Sequence, residues 1–403
     1  MKYSKEEVME YVQEDDVKFI RLAFCDVFGK QKNISIMPKE LNRAFEYGIA
    51  IDASSIEGFG DETRSDLFLH PEAGTIMQLP WRPEYGKVVR MFSSITYPDG
   101  SPFECDTRNL LKRAVEKAES LGYHFYFGAE QEFYLFNLDE KGKPTKEPYD
   151  EAGYMDIAPD DKGENIRREI CLTLEQMGIC PESSHHEEGP GQNEIDFKYS
   201  DPLAAADNAA TFQTVVRTVA YRNGLHADFS PKPLEDKPGN GFHINMSVKS
   251  DDCSDNMYCM IAGILEKAEE MTVFLNPTEN SYKRLGKDKA PLYISWSAEN
   301  RSQLIRIPAA SGQYRRAELR WPDPSTNPYI AFALLIYAGL YGIENKIQLP
   351  DPSDINLYKA DEETLAKFKK LPQTLKDACE KASNSEFIRD NIPAAVSDIY
   401  CRR

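Results

Sequence analysis

The chain has 403 residues, 41% of them hydrophobic, enough to bury the cores of two or more domains without covalent staples. Its formal charge of −18 argues against nucleic acid or an anionic membrane surface as a partner, while an acidic exterior still leaves room for a cationic pocket. Eight cysteines, at 25, 105, 171, 180, 253, 259, 379 and 401, form no C-x-x-C pair, no secretory leader is recognisable and no apolar run could span a bilayer, so a cytoplasmic protein with reduced thiols is expected.

In chain order, "VKFIRLAFCDVFGK" is strand-like, and the turn "YPDGSPF" closes the first region near residue 98. "DTRNLLKRAVEKAESLG" is then helical, with Asp106 placed to cap it and Gly122 to stop it. "GAEQEFYLF", residues 128–136, reads as a strand. Helices follow at "ENIRREICLTLEQMG", at "DPLAAADNAATFQTVVRTVAYRNG" with Asp201 as cap and Pro202 in the first turn, and at "NPYIAFALLIYAGLYGIENK", with short strands between them. The pattern predicts an α+β chain: a small N-terminal domain, 1–97, and a large mixed one, 98–403.

Alternation along the strands separates an ionic from an apolar side. Glu130, Glu132 and Tyr134 share one face of "GAEQEFYLF", which sets the two carboxylates about 7 Å apart. "GQNEIDFKY" puts Glu194 and Asp196 on one face, "GFHINMS" puts His243, Asn245 and Ser247 together, and "RRAELRW" does so with Arg316, Glu318 and Arg320. A wet outer face explains any one of these strands. If all four are neighbours, Glu130, Glu132, Glu187, Glu194, Glu318 and His243 converge with several arginines in a lined pocket. Carboxylates with one imidazole and no thiolate suit Mg²⁺ or Mn²⁺ better than a structural zinc, and arginines beside such ions suit phosphoryl transfer. Neither a P-loop nor a dinucleotide-binding glycine motif is present, and "PGNG" at 238–241 reads as a plain turn.

Six stretches in order, "GAEQEFYLF", "HHEEGPGQNEIDF", "GNGFHINMS", "NPTENSYKRL", "SAENRSQLIRIP" and "RRAELRWPDPSTNPY", resemble type I glutamine synthetase from about residue 15 to about residue 400. The resemblance implies a β-grasp N-terminal domain and a catalytic domain with a curved antiparallel sheet flanked by helices. It also implies a homo-oligomeric ring, a hexamer or double-ring dodecamer, with sites between subunits. Its activity would be ATP-dependent ligation of ammonium to glutamate through a γ-glutamyl phosphate, with two or three Mg²⁺ or Mn²⁺ ions per site. By motif, Glu132, Glu187 and Glu194 would hold the ion facing glutamate and ammonium, and Glu130, His243 and Glu318 the ion bridging the ATP phosphates. Glu182, Ser247, Arg301, Arg306 and Arg316 would contact ATP, with Arg301 also catalytic. Gly239, Arg284 and Arg320 would bind glutamate. Asp52, as base, and Ser55 would be lent by the adjacent subunit, and Tyr154 would belong to the ammonium site.

Two departures stand out. The loop "GKDKAP" is one residue shorter than the common form and carries Lys289 where the family has the glutamate that closes the site; either the amine substrate differs or Asp288 takes over that role. The chain stops at "DIYCRR", before the further helices of many members, which implies weaker stacking of rings. A ligase for a larger amine, favoured by Lys289, and a non-catalytic relative, disfavoured by the complete set of six ligands, are the alternatives.

Overall fold

Hydrogen bonds to one aspartate shape the first hairpin. In the computed structural model, which describes residues 3–60, 63–81, 86–310 and 312–402, Asp26 accepts the backbone N–H groups of Phe28 and Lys30 and turns the chain between two strands. Gly29 sits in this turn at φ 80°, where a Cβ would come within 2.9 Å of the Asn327 backbone, so only glycine lets the turn seat there. Asn327 in turn donates to the Val27 carbonyl and caps the helix Pro328–Glu344.

The N-terminal region builds a six-stranded sheet from β1 (Val17–Cys25), β2 (Gln31–Ile36), β3 (Ile49–Asp52), β4 (Asp66–Pro71), β5 (Met77–Gln78) and β6 (Lys87–Thr96). The order is β2-β1-β6-β4-β3 with β5 on β6, and β1 with β6 is the parallel pair. The helix Lys5–Glu14, closed by a Ser4/Glu7 capping box, and the short helix Leu41–Tyr47 pack on it.

Nine further strands form the second sheet: β7 (Tyr123–Leu138), β8 (Pro144–Pro148), β9 (Pro181–His186), β10 (Gln192–Phe197), β11 (Leu225–Asp228), β12 (Phe242–Ser250), β13 (Trp296–Ala298), β14 (Ile305–Ile307) and β15 (Ala317–Leu319). Their order is β13-β14-β15-β12-β7-β10-β9, with β8 and β11 pairing the distal half of β7. Every pair is antiparallel except β13 with β14, an exception to the expected pattern. The four strands with an ionic face, β15, β12, β7 and β10, are consecutive neighbours.

The apolar face of this sheet explains its position. Phe127 stacks on Phe332 with centroids 4.3 Å apart, and Phe133 meets Phe212 and Phe229, so the helices Pro202–Arg222 and Pro328–Glu344 cover that side. Each such ring, fully buried, contributes about 1.5–3 kcal/mol, and the polar face is left for a site. Asp106 caps the helix Thr107–Ser120 and Gly122 follows it at φ 79°, as the sequence predicts. The helix Met257–Leu275, 13 of whose 19 residues are buried, is absent from the sequence reading; its N-cap Asn256 makes no side-chain capping bond and no proline follows it, whereas Asp201–Pro202 and Asn327–Pro328 mark the starts of two helices that the sequence does reveal. Arg108 ties the two regions together, reaching Glu72 at 2.7 Å and Asp207 at 2.9 Å. Among the described residues no helix is long and apolar enough to cross a membrane.

Candidate active site

Residues paired across antiparallel strands share a face, and the register here makes one row of acids. Glu194 lies opposite Glu132, Asp196 opposite Glu130, His243 opposite Glu130 and Glu318 opposite Asn245. His185 on β9 lies opposite Glu194, and Glu187 follows at the end of that strand. Ligand atoms of Glu130, His243 and Glu318 lie within 4.8 Å of one another; so do those of Glu132, Glu194 and His243, and those of His185, Glu187 and Glu194. The two expected trios are therefore interleaved: His243 groups with both sides, and Glu194 groups with Glu132 on one side and with Glu187 on the other.

Without a cation this arrangement is strained electrostatically. Burial, reinforced by Glu132, pushes Glu187 up to about 8, and burial with Asp196 and Glu132 beside it holds Glu194 well above the carboxylate range. Burial and then Glu130 push Asp196 up to about 7. Burial and the Arg320 guanidinium push His243 down to about 3, leaving a neutral imidazole, the form that binds metals. Glu318, 1% exposed, and Asp196 each have a buried carboxylate oxygen with no aligned hydrogen-bond donor. Oxygen-rich donors, a neutral imidazole and orphaned carboxylate oxygens fit hard divalent cations.

The donors are held from behind. Glu132 accepts from the Gly241 N–H at 2.7 Å and from Gln192 at 3.1 Å, and Asn245 donates to Glu130 at 2.5 Å. A Cβ on Gly241 would lie 2.7 Å from His243 Nε2 and 3.0 Å from an Arg284 nitrogen, and one on Gly239 would lie 2.4 Å from the Pro231 carbonyl. "PGNG" is thus more than a plain turn: its glycines let the backbone run between His243 and Arg284.

Two adjoining cavities open on this row. One of about 480 Å³ includes Glu130, Glu132, Glu187, Glu194 and His243 in its wall, and Tyr154, Gly239, Arg284, Lys289, Arg301, Arg306 and Arg320 line it too. The other, about 170 Å³, is lined by Glu182, Ser247 and Arg316 and shares Glu130, Ser183 and Asp196 with the first. Glu318 lies behind the larger cavity, bonded by Arg320 and 2.5 Å from Arg306 Nε, whose N–H is not aimed at the carboxylate oxygen. Arg316 instead donates to Asn245 at 2.7 Å.

Lys289 donates to Glu188 and lies 5.5 Å from the Tyr154 ring centroid, and Tyr154 meets His185 edge to face at 5.4 Å. His185 Nε2 is 3.3 Å from Glu194. The Tyr358 hydroxyl stands 2.6 Å from the Lys289 carbonyl and 3.1 Å from that of Arg301, joining the loop to the opposite wall. Asp288 accepts from Lys232 at 2.6 Å, so in this conformation it is engaged at the base of the loop. Asp52 and Ser55 do not line their own chain's cavities. They are exposed at the end of β3, where the Ser54 hydroxyl and N–H hold the Asp52 carboxyl below its ordinary value.

Sequence reasoning left out His185, Asp196, Asn245 and Glu188 as site residues. The signal for the first two was present: "HHEE" and "NEIDF" are short segments joined by "GPGQ", a hairpin that sets His185 opposite Glu194 and leaves Asp196 two residues along the same face.

Residues 16–98 match the family model described as "Glutamine synthetase, beta-Grasp domain", and residues 104–403 match "Glutamine synthetase, catalytic domain". The glutamine synthetase of Clostridium saccharobutylicum is 45% identical over 96% of this chain and 91% of that protein. That of Methanosarcina mazei is 44% identical over 98% and 92%. Among solved structures, "GmaS/ADP complex-Conformation 1" superposes with a TM-score of 0.88 at 28% identity, covering 98% of this chain and 94% of that one. Plasmodium falciparum glutamine synthetase, at 22% identity and TM-score 0.87 over 100% and 95%, shares the fold.

Proposed function

The chain belongs to the glutamine synthetase family, and on that premise we propose how its residues divide the work. It is a glutamate–ammonia ligase, forming glutamine from glutamate and ammonia, in a family that depends on ATP and divalent metal. We divide it into a β-grasp domain, 1–97, and a catalytic domain, 98–403.

Glu130, His243 and Glu318 would hold one cation, and Glu132, Glu187 and Glu194 another, with His185 and Asp196 at their margins. Bound there, Mg²⁺ or Mn²⁺ would neutralise charge on the phosphate and carboxylate oxygens. Arg301 and Arg306 grip the transferring phosphoryl group, while Glu182, Ser247 and Arg316 take the nucleotide end in the smaller cavity. Arg284, Arg320 and the Gly239 backbone orient glutamate. Its γ-carboxylate attacks the γ-phosphorus of ATP, the bond to the bridging oxygen breaks and ADP leaves. Asp52 of an adjacent copy takes a proton from ammonium beside Tyr154; ammonia attacks the acyl phosphate carbon and phosphate departs. The loop around Lys289 keeps water from the acyl phosphate.

Asp52 and Ser55 can serve only in trans, which calls for head-to-tail contacts closing into a ring, a hexamer or a double-ring dodecamer, in the cytoplasm. The observation that carries the reading is the adjacency of β15, β12, β7 and β10, which turns four separate ionic strands into interleaved donor sets beside four arginines. Phosphate release with ATP, glutamate and a panel of amines tests it: ammonium should support release and glutamine formation. The Lys289–Glu188 pair favours a second reading, preference for a larger amine, and the same panel decides between them.

A further inference from the structure

Arg90 on β6 is 3% exposed, and its guanidinium meets no carboxylate at ion-pair distance among the described residues. One nitrogen touches the Met77 sulfur at 3.0 Å, the group lies 4.0 Å from the Phe92 ring centroid, and Nη1 is buried with no hydrogen-bond partner. The nearby acids are engaged elsewhere: Arg108 holds both Glu72 and Asp207, and Tyr329 also donates to Asp207 at 2.8 Å. A guanidinium does not shed its proton, so burying one without a counter-charge is costly. Burial draws Arg90 below its ordinary value, and Asp207 restores only part of that.

Arg90 borders a cavity of about 90 Å³ between the N-terminal sheet and the helix Pro202–Arg222, lined also by Arg21, Gln31, Asn33, Thr211 and Thr214. Thr214 donates to the Gln31 side-chain carbonyl, which leaves the donor end of that amide for a ligand. We propose that this cavity binds one small monovalent anion, from a halide up to a carboxylate of one or two carbons, beside the Arg90 guanidinium and on the amide donors of Gln31 and Asn33, the Thr211 and Thr214 hydroxyls being already engaged. A water in the cavity would leave the guanidinium with only the partial compensation that Asp207 gives; an anion there supplies the missing counter-charge. Bound there, it ties the sheet that carries Asp52 to the catalytic domain.

The deciding experiment is a crystal of the full chain grown in sodium bromide. An anomalous peak in this cavity, beside the Arg90 guanidinium, is expected; its absence overturns the proposal. In solution, replacing gluconate by chloride or formate at fixed ionic strength should raise the melting temperature saturably by about 2–4 °C. Arg90→Met should lose that response while still forming glutamine. The same rise in Arg90→Met, or none in the native chain, also overturns it, and if Arg90→Met does not fold the bromide peak alone decides.

Discussion

Glu132 and Glu194 stand directly opposite each other across β7 and β10, both on the cavity side, with Glu194 8% exposed. Like charges in that relation oppose folding unless a cation lies between them. Divalent metal should therefore stabilise the chain beyond any general salt effect, by about 2.7 kcal/mol at a hundred times its dissociation constant. Thermal unfolding in Mg²⁺ or Mn²⁺ against chelator, at equal ionic strength, measures this. Glu194→Gln should stabilise the metal-free protein and blunt the metal response; equal melting points with and without metal would count against the site.

Glu318 sits between Arg306 and Arg320, so its removal has two separable effects. Glu318→Ala leaves two cations without their counter-charge and should cost about 3–5 kcal/mol of stability. Glu318→Gln keeps the shape and some hydrogen bonding, and should isolate the catalytic loss, a fall in kcat of about 10²–10³-fold. Calorimetry beside steady-state rates separates the two; near-native turnover in Glu318→Gln would remove it from the donor set.

Asp52 and Glu318 belong, on the shared-site reading, to different subunits of one active site. Asp52→Asn and Glu318→Gln proteins should each be nearly inactive, and unfolding and refolding them together should restore part of the native rate, since some interfaces then pair an intact Asp52 with an intact Glu318. No recovery from mixed assemblies shown to contain both chains would place Asp52 outside the site.

Glu72 joins the N-terminal sheet to Arg108 and accepts from Ser94 at 2.6 Å. Burial pushes its carboxyl up, but Arg108 and Ser94 more than offset this, and the net result lies below the ordinary value. A depressed folded-state pKa means the contribution is fully present above the unfolded value and is lost as pH falls through the folded one. Glu72→Gln should thus cost about 1–3 kcal/mol at neutral pH, with the difference from native shrinking below about pH 4. Denaturant titrations at several pH values check this, and a constant difference would show the pair is not ionic.

The core of the site was legible because strand alternation is a strict rule: once Glu130 and Glu132 are on one side of β7, register alone brings Glu194, Asp196 and His243 beside them. Strand adjacency was not legible from spacing, since β15 lies more than 60 residues beyond its neighbour β12. Neither was the partnership of Lys289 with Glu188, 101 positions apart on two loops, nor the helix Met257–Leu275, which lacks the cap-and-proline start that marks the still more buried Pro328–Glu344.

Lys289 puts a cation in the wall of the larger cavity, which on the proposed function receives ammonium. Its pair with Glu188 is half in solvent, so it adds little to stability, and the positive charge near Tyr154 and His185 is its main effect. Native protein should therefore show weak apparent affinity for ammonium and release more phosphate than it makes glutamine. Lys289→Glu reverses the sign and, repelled by Glu188, its carboxylate should turn toward the cavity. The KM for ammonium should fall about tenfold, equivalent to about 1.4 kcal/mol, and glutamine formed per phosphate released should rise toward one. Glu188→Gln is the control: it frees Lys289 without supplying an acid, and should leave ammonium affinity weak. If Lys289→Glu changes neither the ammonium dependence nor that ratio, the loop's charge does not govern amine entry, and a larger amine used far better than ammonium by the native chain would assign Lys289 to substrate selection instead.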